Sequence, residues 1–169
     1  MDTLMDVAKL SSRFSVRRMG DADAEAILEL CQKNTQYYQY CGKQPTLELI
    51  LNDLRITPPG MTSDDKYYVG FYDRAVLAAV MDLIVGYPDE TACFIGFFMM
   101  SKALQGNGVG SAIIRDVCRY LREAGSTSVL LGIDKGNPQS THFWKKNGFQ
   151  VIREVEQDGG TILVAKKTI

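Results

Sequence analysis

Gln105-Gly106-Asn107-Gly108-Val109-Gly110 is the stretch from which the rest of the chain can be read. Just before it lies an apolar run, Cys93 to Met100 (CFIGFFMM), with the aromatic and branched residues that strands favour. Just after it, Val109, Ile113, Val117 and Leu121 recur every four residues, and Ala112, Ile114, Cys118 and Ala124 widen that stripe. Arg115, Asp116, Arg119, Arg122 and Glu123 fall mostly on the other side, where a solvated helix face is the simplest reading. The spacing predicts a helix over 107–124, closed by Gly125. The hexapeptide therefore stands where a strand hands over to a helix. Glycines there let the backbone turn tightly and approach a ligand with no Cβ in the way. The first N–H groups of a helix point outward at its positive end, which suits a pyrophosphate. Two familiar phosphate fingerprints do not fit. Counted from Gly106, G-x-G-x-x-G puts Ser111 at its last glycine, and no Gly-Lys-Ser/Thr triplet follows. Taken alone, the segment also reads as a plain glycine-rich helix start.

Outward from this junction the pattern continues in both directions. Lys66 to Tyr72 and Val76 to Val85 read as strands, separated by Asp73-Arg74, and Gly86-Tyr87-Pro88-Asp89 turns into Cys93 to Met100. The two apolar runs lack clean alternation, as expected of central strands covered on both faces. Further upstream, residues 14–19 form a short strand. Asp21 opens a helix through Ala24, Ile27, Leu28 and Cys31, a polar and aromatic loop follows, and Thr46 caps a second helix that Pro58-Pro59-Gly60 stops. Downstream, Ser128 to Ile133 is a strand. Asn137-Pro138 starts a helix that ends at Gly148, and a hairpin turns at Asp158-Gly159-Gly160. The order is β-α-α-β-β-β-α-β-α-β-β: an α/β (α+β) chain with a mixed sheet, helices on both sides, and no sign of a linker or repeat, so residues 1–169 read as one domain.

Bulk composition narrows the classes. The chain has 169 residues, 46% hydrophobic and 23% charged, enough for a buried core without disorder. A net charge of −1 argues against nucleic acid as a partner, since such binders carry a basic surplus. No apolar run reaches the ~20 residues of a membrane span, and the N-terminus is not a secretory signal. Cys31, Cys41, Cys93 and Cys118 are far apart and His142 is the only histidine, so neither metal binding nor a disulfide scaffold is expected. Reduced thiols in a cytoplasm are the plain reading.

The hexapeptide together with a second block resembles the GNAT superfamily of N-acetyltransferases. Gln105, Gly108 and Gly110 match the Q/R-x-x-G-x-G/A pattern of that family's strand-to-helix junction. Asn137 and Phe143-Trp144-Lys145-Lys146-Asn147-Gly148-Phe149 resemble its helix after the fifth strand and the Gly-Phe that opens the sixth. The likeness is strong over residues 66–155 and topological over residues 14–60. It implies the GNAT fold and transfer of an acetyl group from acetyl-CoA to an amine of a small molecule, an amino acid or a peptide. By resemblance, the backbone of Phe98, Met99 and Met100 pairs with the pantetheine arm like an added strand. The N–H groups of Gln105, Gly106, Asn107, Gly108, Val109 and Gly110, with Ser111, hold the pyrophosphate. Asn137 bonds the pantetheine end, and Phe143, Trp144 and Lys146 line the cofactor's other side.

The resemblance does not carry over a catalytic pair. Trp144 occupies the position where many members have a tyrosine acid, and no carboxylate lies in Cys93 to Met100, where some have a glutamate base. Two weaker candidates remain. Asp82, within an apolar run, is either a paired structural residue or a functional carboxylate. His142 titrates in a useful range, or is an ordinary surface histidine. Asp134, at the end of the fifth strand, is read as shaping a turn. Tyr37, Tyr38 and Tyr40 lie in the loop that borders the acceptor pocket in the family, where rings suit contact with an amine; ordinary packing is the competing reading. Other functions compatible with these residues are a CoA-binding module without turnover, and acetylation of protein lysines or N-termini. An exposed edge strand would allow pairing with a second copy.

Overall fold

The computed structural model describes residues 4–169. In chain order they form β1 (Ser15–Arg18), α1 (Ala24–Gln32), α2 (Thr35–Cys41), α3 (Leu47–Asp53), β2 (Lys66–Asp73), β3 (Val76–Val85), β4 (Ala92–Met100), α4 (Val109–Glu123), β5 (Ser128–Asp134), α5 (Pro138–Lys146), β6 (Gln150–Gln157) and β7 (Gly160–Thr168). The strands make one sheet in the order β1-β2-β3-β4-β5-β7-β6. Every neighbouring pair is antiparallel except β4 with β5.

The missing alternation in β3 and β4 has the expected cause, because the sheet is buried on both faces at its centre. One face packs Met81, Leu83 and Ile95 against Ile113, Val117 and Leu121 of α4. The other packs Tyr68, Val80 and Met99 against Ile27 and Leu30 of α1 and Ile50 of α3. Thr46 caps α3 by accepting from the Leu49 N–H, and Asn137 caps α5 by accepting from the Ser140 N–H, with Pro138 in the first turn.

Two expected boundaries shift. The loop after α1 contains a helix, α2, which ends at Gly42 in the left-handed region (φ 72°). Its seven residues are too few to show a 3.6-residue period, and its tyrosines favour strands. The helix expected over 107–124 begins at Val109, since Gly106 and Gly108 take φ of 84° and 76°.

The sheet's central irregularity creates the site. Asp82 pairs with Phe97 while Leu83 pairs with Ile95, so Gly96 is an extra residue that bulges β4. Beside it, β5 pairs with β4 only from Ala92 to Ile95. The rest of β5 stays with β7, and the rest of β4 stays with β3. The two parallel strands therefore diverge toward their C-terminal ends, and a cleft opens between them.

Candidate functional site

The divergence leaves Gly96 to Met100 without a strand on the β5 side. A cleft of about 430 Å³ fills the gap. Phe97, Phe98, Met99 and Met100 form one wall, and Leu131, Gly132, Ile133 and Asp134 of β5 face them. Gly106, Gly108, Gly110 and Ser111 close one end at the start of α4, and Gln139, Ser140, His142, Phe143, Trp144 and Lys146 of α5 form a flank. Tyr37 and the residues before it border the remaining side.

The glycine segment is shaped for something outside the chain. A Cβ at Gly106 or Gly108 would meet no protein atom within 4 Å, so that face is open, while their positive φ excludes most side chains. Gly110 is different: its Cβ would lie 3.1 Å from Cε2 of Phe143, so it lets α5 come close. Two polar latches hold this end. Asn147 donates to Ser111 Oγ (3.1 Å) and to the Phe143 carbonyl (2.8 Å), fixing α5 to α4. Gln105 donates to Asn34 Oδ1 (2.6 Å) and to the Met100 carbonyl (3.1 Å), and accepts from Gln139 (3.4 Å). Asn34 itself donates to the carbonyls of Leu30 and Met100. The sequence marks Gln105 for its backbone; the side chain ties the end of α1, the end of β4 and α5 together.

Phe98, Phe143, Trp144 and Phe149 pack in a chain of rings with centroids 4.9 to 6.0 Å apart. Trp144 is buried in this cluster and still forms cleft wall, a packing role that tryptophan fills without an acidic proton.

The structure sorts the remaining sequence candidates. Tyr37 lines the cleft, whereas Tyr38 is buried in the core and Tyr40 is exposed away from it. Of the three tyrosines only Tyr37 is thus a cleft-lining residue: α2 turns successive residues in different directions, which a loop reading could not anticipate. His142 is exposed at the cleft edge. Val109 is buried in the core and Asn107 is exposed, neither lining the cleft. Asn137 is buried, spends its carbonyl on the α5 cap and does not reach the cleft.

Asp82 also lies outside the cleft. Its Oδ2 accepts from Lys66 Nζ at 2.7 Å in a pair that is almost entirely buried. Oδ1 has no hydrogen-bond partner, and neither does the hydroxyl of neighbouring Tyr68. Burial pushes the Asp82 pKa up, with Lys66 opposing. The carboxylate sits directly beneath the β4 bulge, where a Cβ on Gly96 would lie 2.8 Å from Oδ2. Of its two readings, the paired structural one matches this arrangement.

Sequence reasoning passed over Lys33, Lys102, Phe97 and Gly132, all of which line the cleft. Asp134 also lines it, at the end of the β5 wall. Its position at the C-terminal end of the fifth strand was legible in the sequence; that the strand leaves its parallel neighbour there was not.

Comparison with known proteins agrees with this geometry. Residues 27–149 match the model of the acetyltransferase (GNAT) family. No curated protein matches the sequence significantly. Among solved structures, an acetyltransferase from Thermus thermophilus superposes with a TM-score of 0.73 at 19% identity, covering 92% of this chain and 97% of its own. AAC(6')-Ib in complex with ribostamycin and coenzyme A gives 0.70 at 14% identity, covering 90% and 92%. PaiA N-acetyltransferase from Thermoplasma acidophilum in complex with coenzyme A gives 0.66 at 15% identity, covering 92% and 99%. At such identities the superpositions speak to fold. The family model spans most of the chain, including the split between β4 and β5 and the glycine segment, and on that ground the protein belongs to the acetyltransferase (GNAT) family.

Proposed function

We propose that the protein is an acetyl-CoA-dependent N-acetyltransferase that acts by direct attack of a primary amine of a small molecule, an amino acid or a peptide. The observation that carries this reading is the cleft itself. One wall is a strand edge without a strand partner, and one end is a glycine-lined helix start open to solvent. The first suits an amide-rich arm and the second suits a pyrophosphate, and coenzyme A has both parts.

The residues fit in detail. Phe98, Met99 and Met100 would offer backbone groups to the arm. Gly106, Gly108 and Gly110 with Ser111 would receive the phosphates, and Phe143, Trp144 and Lys146 would cover the other flank. Bound acetyl-CoA supplies an activated acetyl thioester. The chain's own part is to hold donor and amine in register, an effect worth about 7–11 kcal/mol in well-oriented systems. A backbone N–H of the β4 edge near Met99 or Met100 suits a developing oxyanion. The free cysteines fit a reducing cytoplasm, and β6, an edge strand exposed along its length, offers Val151, Ile152 and Val155 for pairing with a second copy.

The test is acceptor-dependent release of free thiol from acetyl-CoA across a panel of small amines, amino acids and peptides, including N-terminal and lysine amines. Release with at least one class supports transfer. Acetyl-CoA bound with no release from any class would contradict it.

A further inference from the structure

We propose that Asp134 recognises the acceptor's ammonium group, with Tyr37 and Phe97 as the walls of its subsite, so that the preferred acceptor is a small cationic amine. The proposal rests on the acetyl-transfer reading of the same cleft and adds its acceptor end.

Charge divides the cleft. Among the described residues, Asp134 is its only acidic lining group, while Lys33, Lys102 and Lys146 supply its basic ones. The pattern suits a polyanion at one end and a cation at the other. Strand alternation fixes the direction of Asp134. Leu131 and Ile133 pack into the core that holds α4, so Gly132 and Asp134 face the opposite side, toward α2.

That side carries the right companions. Tyr37 lines the cleft with its ring edge-on to Phe97, centroids 6.0 Å apart, and aromatic faces attract an ammonium. Burial pushes the pKa of the Tyr37 hydroxyl up, and the Asp134 charge adds to that shift. Gly132 keeps the floor low between them; its Cβ would lie 2.9 Å from Ile162 Cγ2.

Asp134 is half-buried yet makes no ion pair among the described residues. Burial pushes its pKa up, and Lys43, an exposed residue, opposes that shift from a distance. A half-buried carboxylate with no ion-pair partner in the chain is free to take one from a ligand. Asp82 shows the contrast, since its partner Lys66 comes from within the chain.

The test uses n-butylammonium chloride as the cationic probe and n-butanol as its uncharged counterpart. Each is titrated into isotope-labelled protein, with and without saturating coenzyme A, and amide shifts are followed by NMR. The ammonium is expected to move the amides of Tyr37, Phe97, Gly132 and Asp134 saturably, with n-butanol leaving them in place. Asp134→Asn should weaken the ammonium's apparent affinity about fivefold, as loss of one partly screened charge partner implies, and Asp134→Glu should restore part of it. No saturable shift at those amides in the wild type, or an unchanged affinity in Asp134→Asn, would overturn the proposal. Coenzyme A affinity, read by calorimetry on the same proteins, should stay within about twofold across the variants. Its absence in the wild type would strike the transfer reading, while the amine titration without coenzyme A still decides the subsite.

Discussion

The two faces of the sheet do different kinds of work. The α4 and α5 face meets the cleft through backbone and glycine, at Gly106, Gly108 and Gly110, and through a packed chain of rings ending in Phe149. The α1 to α3 face meets it through individual side chains, Tyr37 and Phe97, with the buried Lys66–Asp82 pair behind the β4 bulge. Backbone recognition of a phosphate needs a fixed loop and leaves a sequence pattern. Recognition by side chains depends on which residues a short helix and a strand end turn inward, and leaves almost none. The faces should therefore fail differently when damaged.

The largest expected effect is on stability, from the α1 to α3 face. Lys66→Met strands the Asp82 carboxylate in the core, and losing one member of a buried pair costs about 3–5 kcal/mol. Urea unfolding should show the loss, and the double variant Lys66→Met with Asp82→Leu should recover most of it. A single variant as stable as wild type would mean that the pair is not closed in solution.

Next comes binding on the opposite face. Gly108→Asp places a charge at the expected phosphate position and a side chain at φ 76°. Coenzyme A affinity should fall about 100-fold, roughly 2.7 kcal/mol, by calorimetry. Gly110→Asp adds a clash with Phe143 and should lose at least as much. Retained affinity in either folded variant would break the assignment of this face.

Gln105→Ala is smaller and tests whether the two faces communicate. It removes side-chain bonds to Asn34 and Met100, each worth about 0.5–1.5 kcal/mol. A modest loss should appear in both stability and coenzyme A affinity, because the latch spans α1, β4 and the glycine segment. An effect on stability alone would separate the faces more sharply.

The smallest is at the entry to α1. Asp23 accepts from the Gly20 N–H and from the two terminal guanidinium nitrogens of Arg17, and the Arg17 hydrogen bond chiefly holds its pKa below the usual range. Asp23→Ala should cost about 1 kcal/mol near neutrality. A depressed carboxylate pKa contributes stability above the unfolded-state value and loses it as pH falls through the folded one. The gap between variant and wild type should therefore close in acid, as followed by thermal unfolding at stepped pH.

The same contrast explains what could be read beforehand. The succession of strands along the chain, the helix after the glycine segment and the cap at Asn137 were legible because long apolar runs, four-residue spacing and an Asn-Pro pair are local signals. The bulge at Gly96 was not, because it arises from pairing across β3 and β4. Nor was α2: its flanking residues, Asn34 before and Gly42 after, bracket tyrosines whose propensity points elsewhere. Tyr37 was singled out with Tyr38 and Tyr40, yet only helical geometry separates the one that faces the cleft from the one that fills the core. The Gln105 side chain is a third case. Its partners Asn34 and Met100 are brought to it by the fold, so a motif could identify the residue and not the latch.

Titration calorimetry of wild type and Gly108→Asp with acetyl-CoA tests the central claim most directly. Saturable one-to-one binding is expected of the wild type, with a loss of about 100-fold in a variant that keeps its fold. A well-folded wild type that binds no acetyl-CoA would contradict it, leaving the fold in place and the chemistry assigned to the cleft without support.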